Sequence, residues 1–369
     1  DMAGLQAMID QLHKNGEFAF DTETTGLNPM TSDLVGLSFA IKTGHAWYVP
    51  VGHTEGAQVS FSDGLTRLRP LFEDESINKI AHNANFDLMV LATAGIDVKA
   101  LGFDTMIAAA LCGYRSIGLK QLALQLFNQN MTEIKTLIGV GKKQITMAEV
   151  PIEQAGPYAA SDADFTWRLY ESLKQEIHDH QADYVNKEIE IPLLPVIIEM
   201  QRNGMIIDKA ALADMSEQLG TEVELIKQAA TSVVGGREIN LASNKQVAEL
   251  LIDELGAPKT RKTKTGWSMD ANALEKIQQT LGLDDRIYQI ADGVLKFREL
   301  TKLKSTYVDA LPLLANPETH RVHTSFNQVG SATGRLSSND PNVQNIPVRT
   351  ELGRKVRKAF VTDFANGWQ

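Results

Sequence analysis

The apolar and polar positions of residues 1–55 predict a helix, a strand, a turn and two further strands. DMAGLQAMIDQLHKNGEF is amphipathic, and Phe18, Ala19 and Phe20 continue it as a buried strand. TTGLNP is turn chemistry, while LVGLSFAI and HAWYVPV have the β-branched and aromatic content of strands. NKIAHNANFDLMVLATAG predicts a short strand running into a helix. FDTMIAAALCGY and GLKQLALQLF carry apolar residues at helical spacing, and helical patterning returns from Pro157 to His180. Such alternation predicts an α/β domain built on a mixed sheet.

A second region opens near Asn186. KEIEIPLLPVIIEMQRNG predicts a long helix stopped by Asn203-Gly204. Helical stretches follow at Lys209–Ser232 and Asn244–Leu255, then in DANALEKIQQTLG and from DDRIYQIADG to VDALPLL. PKTRKTKTGWS lacks periodicity and is expected to be an exposed loop. From Arg321 the pattern turns to strands and loops. No internal repeat or low-complexity tract is present.

The chain's 369 residues suggest about two domains. No apolar run is long enough to span a bilayer, and the N-terminus lacks the layout of a signal peptide, so no membrane association is expected. The single cysteine, Cys112, cannot form an internal disulfide, which fits a reducing cytoplasm. Its setting in IAAALCGY favours a core thiol over a nucleophile. The net charge of −10 argues against a nucleic-acid partner only until its distribution is read. Gly256–Phe360 holds 17 Lys+Arg against 10 Asp+Glu, and Asp363 alone is charged after it, so residues 1–255 carry −16. An electropositive surface beside an acidic catalytic module gives such a split, as does a merely solvated surface.

The chemistry concentrates in the first region. Strand side chains alternate, so Asp21 and Glu23 of FAFDTETTGL project from one face. A polar strand end entering a turn has the same appearance. Two further acids change the balance. Asp87 lies one helical turn after Asn83, and Asp162 one turn after Tyr158 in YAASDADFTW, whereas Asp164 should point elsewhere. Four acids on three elements can converge. Hard oxygen ligands suit Mg²⁺ or Mn²⁺, and two such ions about 4 Å apart can stabilise both the attacking and the departing oxygen of a phosphodiester.

DTE, then N-x-x-x-D, then Y-x-x-x-D resembles the three motifs of the DEDD-type 3′–5′ exonucleases, tyrosine subclass. LVGLSFAI, FDTM and GKKQITM continue the likeness. The resemblance implies a ribonuclease H-like mixed sheet with flanking helices over residues 1–182, and two divalent cations, Mg²⁺ or Mn²⁺. It implies that Asp21, Glu23 and Asp162 hold the ion that activates water, and that Asp21 and Asp87 hold the ion that stabilises the departing 3′ oxygen. Tyr158 would orient the water with help from Glu23. Leu27 and Phe86 would pack on the terminal base or sugar of a frayed strand, or else belong to the core. Asn83 would support the site or cap a helix. With all four acids present, an active nuclease is expected.

PLLPVIIEMQRNGMIID, KLKSTY and TGRLSSNDPNVQNIPVR resemble the opening of the family A DNA polymerase domain. The likeness extends over nearly the whole chain and implies that residues 183–369 are the N-terminal part of that domain. Roughly 215–315 would be a mainly helical thumb gripping primer-template duplex, and 316–369 the first part of the palm. Arg298, Lys302 and Lys304 would touch phosphates, or form a solvated helix face. Arg335, Asn342, Gln344 and Asn345 match the loop beside the primer terminus, where Arg335 would sense minor-groove acceptors common to every correct pair. Asn327 is given no role.

The sequence stops at FVTDFANGWQ, before the palm acids and fingers of the family. The family's 5′ nuclease and the first exonuclease strand are also missing from it. The expectation is therefore a monomeric bacterial, nucleoid-associated fragment that removes mismatched 3′-terminal nucleotides in replication and repair. It should not polymerise, and its C-terminal end should be disordered or covered by a missing polymerase piece. The alternative is a stand-alone DEDD exoribonuclease of ribonuclease D type, against which the second-half motifs argue. A non-catalytic DNA-binding scaffold is the third possibility, against which the intact acids argue.

Overall fold

The structure is a computed structural model that describes residues 1–279, 281–283, 285–331 and 333–362. The expectation for the C-terminal end, 363–369, lies outside these residues. The chain divides into two compact units, Asp1–Arg202 with Phe326–Ser337, and Asn203–Ser325 with Ser338–Gln369. The sequence reading places its boundary at 182/183. The helix Ile191–Asn203 lies in the first unit except for its last residue, and its Leu194 and Ile198 are buried in that unit's core.

The first unit runs α1 (Met2–Asn15), β1 (Glu17–Thr24), β2 (Leu34–Lys42), β3 (His45–Pro50), α2 (Phe61–Glu73), β4 (Asn78–Ala81), α3 (Ala84–Thr93), β5 (Leu101–Asp104), α4 (Thr105–Leu111), α5 (Leu119–Phe127), α6 (Lys135–Ile138) and α7 (Ile152–Asp179). Its mixed sheet has the order β3-β2-β1-β4-β5, with β1, β2 and β3 antiparallel and β1, β4 and β5 parallel. Period-two alternation in β1 sorts its side chains. Phe18 and Phe20 enter one core with Phe39, Phe72 and the buried faces of α1, α2 and α3. Ala19 faces the opposite way, into a core built largely by α4, α5 and α7. Asp21 and Glu23 follow Ala19's parity, so the strand aims them towards the α7 side.

The sequence reading passes over α2, which Ser60 caps by accepting from the Asp63 nitrogen at 3.2 Å. Leu65, Leu68, Leu71 and Phe72 form its buried stripe.

In the second unit the long helices Lys209–Val233 and Arg286–Leu303 pack together. Ile290, Val294 and Phe297 join one buried cluster, and Leu300 and Leu303 another with Leu212, Met215 and Leu219. The expected loop PKTRKTKTGWS contains a small hairpin, Lys262–Thr263 against Gly266–Trp267, too short to leave a periodic signal.

Candidate active site

β1 outruns β4. Its parallel pairing ends at Ala19 with Ile80, so its C-terminal half has β2 on one side and the start of α3 on the other. Against β2 the register skips Val35 between Glu23 and Thr24, a bulge that re-aims the side chains at the strand's end.

Three acids meet there. One carboxylate oxygen from each of Asp21, Glu23 and Asp162 lies within 4.8 Å of the others. Asp162 comes from α7, and Tyr158, one turn earlier, hydrogen-bonds to it. Asp87 stands apart from this trio. Its Oδ1 accepts from the Thr22 nitrogen at 3.0 Å and the Thr22 hydroxyl at 2.5 Å. The Thr22 N–H lies beyond the β1–β4 pairing, and a buried backbone donor needs a partner. Asp87 supplies one. Asp104 accepts from the nitrogens of Asn83, Ala84, Met106 and Ile107, which fixes the start of α3 and so the height of Asp87. Asp164 faces away, accepting from Gly44 N at 2.5 Å and pairing with Arg168 at 2.6 Å.

Clustering acids in a site this poorly hydrated costs free energy unless protons or cations neutralise them. Burial, then Asp87, Asp162 and Glu23, raises the Asp21 carboxyl well above the usual range. Burial and the neighbouring Asp162 push Glu23 up to about 8. Burial likewise lifts Asp87 to about 7, against the hydrogen bonds from Thr22, and Asp162 to about 6, against Lys120 and Tyr158. Burial and the three carboxylates raise the Tyr158 phenol too, which keeps its proton. Among the described residues, Glu23 Oε1 is buried without a hydrogen-bond partner. An orphaned carboxylate oxygen beside two more oxygen ligands fits hard divalent cations.

The other sequence candidates fall in varied settings. Leu27 is 92% exposed, whereas Phe86 packs against the first core. Asn83 starts α3 with φ 64°, and its side chain makes no cap. Arg298 is half-buried and donates to the carbonyls of Leu241 and Met269. Lys304 pairs with Asp309 at 2.8 Å and donates to Ser216. Asn342 Oδ1 accepts from the nitrogens of Gln344 and Asn345, shaping its own turn. Lys302, Arg335, Gln344 and Asn345 are exposed.

Sequence reasoning missed Thr22, Lys120 and the Tyr48–His53 pair, whose tyrosine feels the Glu23 charge. Lys120 donates to the Tyr158 oxygen at 3.3 Å. The Tyr48 hydroxyl lies 2.7 Å from His53 Nε2, and His53 Nδ1 lies 2.9 Å from the Val150 carbonyl. That carbonyl can only accept, so Nδ1 carries the proton and Tyr48 donates to Nε2. The signal for Thr22 is its place between the two acids. Nothing local marks Lys120, because Tyr158 is 38 residues away.

Comparison with known proteins gives a family likeness for each part of the chain. Residues 1–178 match the 3′-5′ exonuclease family, and residues 209–368 match DNA polymerase family A. The chain thus joins an exonuclease domain to the start of a polymerase domain.

The chain is 45% identical over its full length to DNA polymerase I of Chloroflexus aurantiacus, covering 39% of that protein. It is 38% identical over 98% of its length to DNA polymerase I of Pseudomonas aeruginosa, covering 40%. It therefore spans about two fifths of those relatives. It also resembles the solved polymerase domain of Pol1 from M. smegmatis in complex with DNA primer-template and dNTP. That likeness has a TM-score of 0.81 and 29% identity, and covers 96% of this chain and 57% of the other.

Proposed function

We propose that the first unit is a divalent-cation-dependent 3′–5′ exonuclease that removes mismatched 3′-terminal nucleotides from DNA, as the proofreading part of a DNA polymerase I. The observation that carries this reading is the trio of half-buried Asp21 and buried Glu23 and Asp162, with an orphaned Glu23 oxygen and Tyr158 bonded to Asp162. The match of residues 1–178 to the 3′-5′ exonuclease family supports it, as does a ribonuclease H-like reading of the sheet order.

Asp21, Glu23 and Asp162 would hold one cation and Asp21 with Asp87 the other; Mg²⁺ is the natural choice for an all-oxygen set. When bound, the cations supply Lewis-acid stabilisation of the attacking and departing oxygens. The chain's residues do the rest. Asp87 is held by Thr22, so its orientation does not wait on the ligand. Tyr158 stays neutral and can place the attacking water through a hydrogen bond. Tyr48 spends its proton on His53, which leaves the Glu23 carboxylate free for its ligand. Phe86 and Leu27 provide apolar contact for the terminal nucleotide, and Asn83 supports the site's rim.

The second unit grips primer-template duplex, with Lys302 and Lys304 on the thumb and Asn342, Gln344 and Asn345 at the primer terminus, while Arg298 braces the thumb from within. The protein works as a monomer in the bacterial cytoplasm, at the nucleoid. Polymerisation belongs to the longer proteins of which these relatives are examples.

A 5′-labelled DNA strand with a mismatched 3′ end, incubated with Mg²⁺ and no dNTPs, tests the reading. Stepwise shortening from the 3′ end that stops with EDTA is expected. A strong preference for an RNA strand would favour a ribonuclease D-like enzyme instead.

A further inference from the structure

Lys120 lies in the first turn of α5, far in sequence from the acids it influences. Its ammonium is held on two sides, donating to the Thr132 carbonyl at 2.7 Å and to the Tyr158 oxygen at 3.3 Å. It also sits 4.8 Å from the centroid of the Tyr158 ring. Tyr158 is buried to 9% exposure, and its hydroxyl hydrogen-bonds to Asp162. A phenol has one hydrogen to give and one oxygen to receive. Asp162 engages the first and Lys120 the second. The ring is fixed as well, since an ammonium over an aromatic face resists its rotation.

We propose that Lys120 is a positioning residue of the exonuclease site, locking the Tyr158 phenol through a hydrogen bond to its oxygen and a contact with its ring. The proposal rests on the exonuclease reading above and adds a residue to it. Lys120 acts through Tyr158. It is not placed as a ligand of the cations or as a contact of the DNA strand. Two facts favour the phenol as its target. The Thr132 carbonyl tethers the ammonium beside the ring, and the ammonium lies 4.8 Å from the ring centroid. Misplacing a group that orients a reactant costs rate more than binding.

The test is a double-mutant cycle on single-strand shortening under Mg²⁺. Lys120→Met keeps the stem and removes the donor and charge. It should lower kcat about tenfold and leave KM within about twofold. In a Tyr158→Phe background the same change should cost less than about twofold, because its target is already gone. Lys120→Arg, which keeps donor and charge, should recover most of the rate. Affinity for the strand in EDTA, read by fluorescence anisotropy, should be unchanged in Lys120→Met, and its melting temperature should match the parent.

Equal losses in both backgrounds overturn the proposal. So does a several-fold loss of binding in EDTA, which would make Lys120 a strand contact, or a lowered melting temperature that accounts for the lost rate. A failure of the exonuclease reading looks different: the parent shows no Mg²⁺-dependent shortening, or Asp162→Ala shortens DNA as fast as the parent. In that case both fall. If those controls behave and Lys120→Met is fully active, the Lys120 proposal alone falls.

Discussion

Asp87 is fastened to Thr22 by two hydrogen bonds on one oxygen, from the backbone nitrogen at 3.0 Å and the hydroxyl at 2.5 Å. Thr22 stands between Asp21 and Glu23 but faces the other side of the sheet. One tripeptide therefore presents two acids directly and positions a third.

Thr22→Val keeps the shape and removes the hydroxyl donor. A lost hydrogen bond to a buried carboxylate costs about 1–3 kcal/mol. We expect that loss in urea unfolding, and a fall of about tenfold in the rate of 3′-nucleotide removal, with strand affinity little changed. An unaltered rate would mean that the backbone nitrogen alone fixes Asp87.

The raised carboxyls set the sign of the pH dependence. Glu23 moves from an ordinary 4.5 to about 8, with burial as the main cause. The folded chain thus keeps protons that the unfolded chain releases, so this group's stabilisation is lost as pH rises through that window. Metal-free protein should melt lower at about pH 8 than at about pH 5. Glu23→Gln should flatten the slope and gain about 2 kcal/mol at the upper end. Mg²⁺ should raise the melting temperature of the parent and do far less for the variant. A metal-free protein that gains stability across the window would contradict the cause assigned to the shift.

Gly36 pairs with Glu23 across the sheet, and a Cβ there would lie 2.2 Å from the Tyr48 hydroxyl. Gly36→Ala must displace the tyrosine from His53. We expect a loss of about 2 kcal/mol in chemical unfolding and reduced exonuclease activity.

Arg298 and Lys302 share a helix but differ in setting. Arg298 donates to two carbonyls inside the second unit, whereas Lys302 is exposed. Arg298→Met should destabilise that unit by about 2 kcal/mol, because it orphans buried acceptors. Lys302→Ala should leave stability unchanged and reduce the dependence of log affinity for duplex on log salt by about 1. Measuring both quantities on both variants separates a structural arginine from a phosphate contact.

The acids were legible because strand and helix periods are local. Asp21 with Glu23, and Tyr158 with Asp162, are pairs whose shared face follows from two-residue and four-residue spacing. The α/β alternation was legible for the same reason, and α2 would have been, since Leu65, Leu68 and Leu71 carry its stripe. Long-range pairings carried no such signal. Lys120 meets Tyr158, Thr22 meets Asp87, and Arg298 meets Leu241 and Met269 only once the chain has folded. A basic residue on a helix reads as solvated or phosphate-bound until the carbonyls it satisfies are seen.

The most direct measurement is the single-turnover rate at which a mismatched 3′ nucleotide is removed under saturating Mg²⁺, compared between the parent and Asp21→Asn. Asp21 belongs to both proposed cation sites, so losing its charge should lower the rate by about a thousandfold or more while the fold melts no earlier. A rate within about twofold of the parent would contradict the assignment of this acidic cluster as the exonuclease site.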